Sequence, residues 1–424
     1  MGSALHTNDA SAPFKILVVG GSYGGLAAAL NLSDLCLGKA AHAAAGYVGQ
    51  DAFPEETEPI HAEITIVDER DGFYHLIGSP LVFANKVYAD KAWVLYKDIL
   101  ALQTSPNIKT IHGSVTSVEM ASKTATIAAA AAAGGATSTV SFDFIIVAAG
   151  LRRAFPVVPQ SPDKASYLAE VNPHIEAVST AQDGVLVVGG GAVGIEMAAE
   201  LKLAQPHVKV TLAHSRSRLL SSEPLPDNLA EKTLDILKEN GVGVVLEHRL
   251  QETRELDGGV KEVVFTNGHT LRVNAVVFAI SKSQPSTSFL PAAALNEEGY
   301  IKIQPNLFFP PEVPNYDCAL AGGDIVKWSG IKRCGGAMHM GYYMARNAHE
   351  RMRELVFGAP PQYQTLKPVP AMIAIALGHN ALAFQTGGEL QFGKDVADRY
   401  FAEDVGFEIC WKIMGLGARS GVNV

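Results

Sequence analysis

The chain has 424 residues, 48% of them apolar and 18% charged, enough for about two to three domains at roughly 150 residues each and too apolar for intrinsic disorder. Lysine and arginine number 34 against 43 acids, a formal charge of −9; such a chain lacks the basic stripe that neutralises phosphates, which argues against nucleic acid as a partner. Four cysteines, Cys36, Cys318, Cys334 and Cys410, are too few for a disulfide scaffold and none stands at C-x-x-C or Cys/His metal spacing, so a reducing compartment is expected and a metal site is not.

The polar start, Met1 to Ala12, holds neither an apolar leader segment nor an arginine-rich amphipathic stretch, which makes the cytoplasm the expected compartment. Gly2 opens a myristoylation pattern, but the sixth position calls for Ser or Thr and holds His6. No stretch reaches about 18 to 20 uninterrupted apolar residues, since Ala128 to Ala133 ends at Gly134-Gly135; a spanning helix is excluded, and peripheral contact with a membrane or mitochondrial surface stays open.

Lys15 to Val19 reads as a buried strand, followed by Gly20-Gly21-Ser22-Tyr23-Gly24-Gly25 and a helix over Leu26 to Leu35. Gly38 to Ala62 is a polar insertion expected on the surface, and Glu63 to Asp68 reads as a second parallel strand. A β-rich stretch, Ile108 to Ile127, leads to an apolar strand at Phe144 to Gly150. The same order returns: strand Gly184 to Val188, loop Gly189 to Gly194, helix Ile195 to Leu203, strand Val208 to His214, β-rich Val242 to Leu271 and strand Ala275 to Ser281. A duplicated α/β plan with β-meander insertions is the economical explanation. From Pro360 a proline-rich connector leads to a mixed tail, in which Val405 to Leu416 predicts a helix packed on its own protein in preference to a membrane.

A strand turning tightly into a helix offers unpaired amides and the positive dipole end to a pyrophosphate, provided no side chain intervenes. Gly189, Gly191 and Gly194 complete G-x-G-x-x-G, with Ala192 and Val193 in the same loop. In the first loop Ser22 takes the middle position, while Gly20 and Gly25 match and Gly21 and Gly24 supply slack beside Tyr23. Asp68, with Glu69 beside it, ends the second strand where an acid accepts ribose hydroxyls. The equivalent place in the second unit holds His214-Ser215-Arg216 and no acid. Arg216 there suits a 2′-phosphate, which leaves NADH and NADPH both open. Tyr316 to Asp324 reads as an apolar strand ending in Gly323-Asp324, before a helix start at Gly335 to His339. Asp324 is a candidate acceptor for a ribityl chain, and Ala337 and Met338 candidates to face a flavin, with Val115 on the β-rich stretch as a further contact.

The ordered set VVGGSYGG, IVD, VAAG, VVGGGAVGIEMAAEL and AGGD resembles the flavoproteins with two dinucleotide-binding domains. Within them VDERDGFYH, VTLAHSR and PAMIAIALGHNALAFQTGG resemble the apoptosis-inducing-factor family, ferroptosis suppressor branch, a likeness covering most of residues 14–416. The resemblance implies Rossmann-like FAD- and NAD(P)-binding domains plus a small C-terminal α+β region. The expected division is 14–155 and 286–358 for FAD, 156–285 for NAD(P)H and 359–424 for the C-terminal region. It implies that Gly20 to Gly25, Asp68, Ala149-Gly150 and Asp324 hold FAD, that Gly189, Gly191 and Gly194 hold NADH or NADPH, and that Glu196 sits near the nicotinamide. Hydride would pass to flavin N5 and on to a quinone, in a monomer or homodimer. Ser22, Ser281 and Leu81 depart from the family's pattern; Leu81 stands where the branch often has an arginine, so Arg70 and Lys86 become the candidates for neutralising the pyrophosphate.

Residues 69–100 contain no cysteine, so the dithiol that related enzymes carry after the second strand is missing and the electrons are expected to leave for an external, quinone-like small acceptor. Cys318 and Cys334 read as buried small apolar residues. His75, Tyr74 and His339 are candidate proton donors, against a purely structural role for His75; Glu196 either orients the nicotinamide or anchors its own helix. A flavin oxidoreductase of small-molecule biosynthesis and a redox-sensing protein with little turnover share these motifs.

Overall fold

The computed structural model describes residues 12–41, 58–130, 134–280 and 282–418. Most of the Gly38 to Ala62 insertion, the amino-terminal readings at Gly2 and His6, and Ser281 lie outside the described residues.

Strand β1 (Phe14–Val19) is buried at every position except Lys15. Its alternate side chains enter two cores: Ile16 and Val18 on one face of the sheet, Leu17 and Val19 on the other, as expected of a central strand covered on both sides. Helix α1 (Tyr23–Cys36) follows, then β2 (Ala62–Asp68), β3 (Ile108–Glu119), β4 (Thr124–Ala129), β5 (Thr137–Ser141) and β6 (Phe144–Val147). The second unit repeats the plan with β7 (Val185–Val188), α2 (Ala192–Ala204), β8 (Val210–Ala213) and β9 (Gly243–Val245). An antiparallel meander, β10 (Leu250–Glu255), β11 (Lys261–Phe265) and β12 (Thr270–Val273), precedes β13 (Ala275–Phe278). The second sheet runs β9-β8-β7-β13, parallel throughout.

The chain then returns to the first unit. Strand β14 (Ala319–Ala321) pairs parallel with β6, giving the order β14-β6-β1-β2-β3-β4-β5, parallel as far as β3 and antiparallel beyond. This strand is shorter than the nine residues read from Tyr316 to Asp324. Asn315 in the left-handed region and Gly323 at φ +79° set 3₁₀ turns on either side of it. Helix α3 (Cys334–Phe357) lies across α1, and a Cβ on Gly341 would press into Ala27, so the close crossing depends on small residues. The carboxyl-terminal region adds the antiparallel β15 (Met372–Leu377), β16 (Asn380–Gln385) and β17 (Gln391–Gly393), then α4 (Phe407–Ile413).

The tail is not a loose appendage. Phe407 and Trp411 meet Phe73 edge-on at centroid distances of 6.3 and 6.2 Å, and Cys410, Met414 and Leu416 are buried with them, so α4 packs on its own protein. No helix among the described residues is long and apolar enough to cross a membrane.

Candidate functional site

Both glycine loops open onto one cavity of about 1360 Å³. The first contributes Gly20, Ser22, Tyr23 and Gly24, the second Gly191, Ala192 and Val193. A single drug-sized ligand takes about 300 to 1,000 Å³, so the space suits a pair of dinucleotides. The loops are built alike. Gly20 donates its amide to Val67 O at 2.8 Å and Gly189 donates to Ala213 O at 2.9 Å. A Cβ on Gly25 would collide with the carbonyl oxygen of Gly20, and one on Gly194 with that of Gly189; both helices therefore begin against their strands only because glycine stands there. Ser22 and Gly191 are the N-caps of α1 and α2, and neither supplies a side-chain cap, which leaves first-turn amides for an anionic ligand.

Asp68 ends β2 on the cavity wall. Gly21 donates its amide to Asp68 Oδ2 at 2.6 Å, and Arg70 its amide to Oδ1 at 2.8 Å. Burial raises the Asp68 pKa, opposed by the Arg70 charge and by these two amides. In the second unit the imidazole of His214 takes the equivalent place: Gly190 donates its amide to His214 Nδ1 at 3.1 Å. Nδ1 is therefore the unprotonated nitrogen, and Nε2 faces Ser221 Oγ at 3.0 Å. Arg216 is exposed beside it and donates to Ser221 O at 3.1 Å.

Asp324 lies on the same wall in an ion pair with Arg153 at 3.2 Å, and Lys332 donates to its backbone carbonyl at 2.6 Å. Glu69, Arg70, Val115, Ala149, Gly150, Ala337 and Met338 also line the cavity. Arg70 donates to Pro159 O at 3.2 Å and lies over the rings of Tyr74 and Trp93, so it is held in place as a cation. Lys86 is a correction: it is exposed at the start of a short helix, Lys86–Lys91, and is not among the cavity-lining residues. Arg153, Lys332 and Arg333 line the cavity instead. The basic pair Lys332-Arg333 just before a small-residue helix start was the available sequence signal.

His75 needs a second correction. It is fully buried off the cavity. Its Nε2 faces the Val405 carbonyl at 3.1 Å, which can only accept, so Nε2 carries the proton and Nδ1 accepts from the Tyr23 hydroxyl at 3.1 Å. Burial lowers the His75 pKa to about 4. The ring is thus a neutral support for Tyr23, which does line the cavity. His339 likewise lies off the cavity wall, packed 4.3 Å from the Tyr343 ring centroid, its pKa lowered by burial to about 4.

Glu196, two residues beyond Gly194, lines the cavity. Ala376 of β15 donates its amide to Glu196 Oε1 at 3.1 Å, and Gly378 donates to Glu200 Oε1 at 3.1 Å one turn on. Burial raises Glu196 to about 8 and Glu200 to about 7. Helix α2 thereby docks the carboxyl-terminal sheet over the cavity, where Met372, Ile373, Phe384, Phe401 and Ile413 form an apolar wall. Cys334, expected as a buried small apolar residue, lines the cavity instead, with Sγ 4.0 Å from Sγ of Cys410. Cys318 is buried as expected and donates to Asn315 O at 3.0 Å.

The family model described as pyridine nucleotide-disulphide oxidoreductase matches residues 14–341. The chain is 44% identical over 422 residues to oxidoreductase OXR1 of Ajellomyces capsulatus, covering 98% of this chain and 90% of the relative. It is 23% identical to ferroptosis suppressor protein 1 of Mus musculus, over 98% of this chain and 99% of that one. Among solved structures, an NAD-dependent persulfide reductase from A. fulgidus superposes with a TM-score of 0.63 at 19% identity, over 91% of this chain and 65% of that chain, and so shares its fold. The chain belongs to the pyridine nucleotide-disulphide oxidoreductase family, an oxidoreductase whose cofactors are FAD and a nicotinamide dinucleotide.

Proposed function

We propose that the protein is an FAD-dependent NAD(P)H oxidoreductase that passes electrons to a quinone or a similar small apolar acceptor. The carrying observation is the cavity shared by the two glycine loops, which would let two nucleotides bound there reach one another. In this reading residues 14–155 and 286–358 hold FAD, 156–285 the nicotinamide nucleotide, and 359–424 closes the site. A bound flavin would supply the two-electron chemistry that links the nicotinamide to the acceptor, and the residues of the two glycine loops would hold the two nucleotides for it.

The chain's own residues bind, orient and shield. First-turn amides of α1 and α2, with Arg70, Arg153 and Lys332, hold the phosphates. Asp68 orients the loop at Gly21 and offers its outer lone pairs to ribose hydroxyls. Tyr23, fixed by His75, shapes the cavity beside the first loop. Glu196, protonated near neutral pH through burial, can hold a proton beside the nicotinamide while it anchors β15. The apolar wall of the carboxyl-terminal sheet excludes water and suits an apolar ring.

Purified protein is expected to be yellow, to bleach anaerobically with NADH or NADPH, and to regain its colour with a short-chain quinone. A preparation that takes up no FAD refutes the reading. Bleaching without reoxidation by any quinone in a small panel refutes the acceptor class alone.

A further inference from the structure

Cys334 and Cys410 are 76 residues apart in sequence, yet the fold sets them side by side on the wall of the cofactor cavity. Cys334 is the first residue of α3, and Cys410 lies in the middle of α4. Their sulfurs are 4.0 Å apart; a disulfide bond is about 2.05 Å, so the two must close by about 2 Å to join. Both thiols face a space that also reaches Ser22 and Tyr23 of the first loop and Glu196 behind the second.

The two sulfurs are not equivalent. Cys334 sits at a helix N-terminus next to Arg333, with the Gly335 amide and the Cys410 thiol beside it, and its pKa is lowered. Cys410 is buried among apolar groups, and its pKa is pushed well up by its bond to Cys334 and by burial. One sulfur is suited to attack and the other to resolve.

We propose that Cys334 and Cys410 form a redox-active dithiol that exchanges with small organic disulfides entering the cofactor cavity, a second substrate class for this protein. The Cys334 thiolate attacks one sulfur of the disulfide, forming a mixed disulfide and releasing one thiolate. Cys410, giving up its proton, attacks the Cys334 sulfur; the Cys334–Cys410 bond forms and the second small thiol leaves. Two protein thiols are oxidised and one small disulfide is reduced to two thiols. Two electrons and a proton from NAD(P)H, with one further proton from solvent, return the pair to the dithiol; this last step rests on the function proposed above, whereas the exchange does not.

The test uses the flavin-loaded protein under anaerobic conditions with hydroxyethyl disulfide, followed by alkylation and a non-reducing peptide map. The expected result is a peptide carrying Cys334 joined to Cys410, a stable mixed disulfide on Cys334 in Cys410→Ser, and no modification of Cys410 in Cys334→Ser. Unchanged thiols in the unsubstituted protein overturn the proposal, as does modification at Cys36 or Cys318 alone. NADH or NADPH added to the oxidised protein is expected to remove the joined peptide as the flavin is re-reduced. A flavin that bleaches while the joined peptide persists overturns the link between the pair and the cofactors. A flavin that does not bleach counts against the proposed function and leaves the exchange result standing on the first map.

Discussion

The two glycine loops solve one problem with different chemistry. In both, the first glycine is tied to the second strand, the third residue after the middle position lies too close to the first glycine's carbonyl for any side chain, and the second amide is bonded by a residue at the end of the second strand. In the first unit that residue is Asp68, an anion in a partly buried setting. In the second it is His214, neutral, with Arg216 beside it. An acid at this place offers acceptors to ribose hydroxyls and repels a phosphate; an imidazole with a guanidinium beside it tolerates one. The units diverge again two residues past the last glycine. Ala27 lets α3 cross α1 closely, whereas Glu196 reaches out to the β15 backbone. A duplicated frame thus packs one unit against a helix and ties the other to the carboxyl-terminal sheet.

The sharpest way to break the equivalence is at the shared contact. Gly25→Ala and Gly194→Ala should each cost about 3 kcal/mol through overpacking, with flavin content lost in the first and nicotinamide binding lost in the second; calorimetry and absorbance separate the two. Equal flavin loss in both would show that the loops do not serve different cofactors. Asp68→Ala leaves two amides without their acceptor and should cost about 2 kcal/mol in stability together with most of the bound FAD. His214→Ala should cost less, since it removes one bond to a part-buried amide.

Glu196 gives the second unit a pH dependence that Ala27 cannot give the first. Its carboxyl titrates near 8 in the fold against 4.5 when freely exposed, so between those values the unfolded chain has lost a proton that the fold retains. Stability then falls as pH rises through that window, by up to about 1.4 kcal/mol per pH unit, and levels off above it. Glu200, near 7, adds to the lower part only, so Glu196→Gln should flatten denaturation midpoints chiefly between pH 7 and 8. A midpoint that still falls there in the variant assigns the slope elsewhere. The smallest expected effect is at the rim: Arg216→Ala should weaken NADPH about fivefold, or ~1 kcal/mol, and leave NADH unchanged. Equal losses for both would remove the 2′-phosphate role.

The loops, Asp68, Asp324 and the repeated strand-turn-helix units were legible in the sequence because each is a local pattern, a strand with its turn and helix or an acid at a strand end. What joins distant segments was not. Lys86 and Arg70 looked equivalent in composition, and only the packing of Arg70 over Tyr74 and Trp93 separates them. His75 stands in a segment that reaches the cavity through Tyr74 and Leu76, yet its partners come from α1 and from Val405, which fix its proton away from the reaction. The pairing of Cys334 with Cys410 and the docking of β15 on Glu196 depend on where the tail folds back, for which spacing carries no signal.

In the proposed function one cavity holds a flavin and a nicotinamide in electronic contact and delivers their electrons outward. Anaerobic titration of the purified yellow protein with NADH and NADPH, followed at the flavin absorbance and closed by addition of a short-chain quinone, tests it most directly. Stoichiometric bleaching by at least one nucleotide and full recovery of colour with quinone are expected; a flavin that neither nucleotide bleaches would overturn the shared-cavity mechanism.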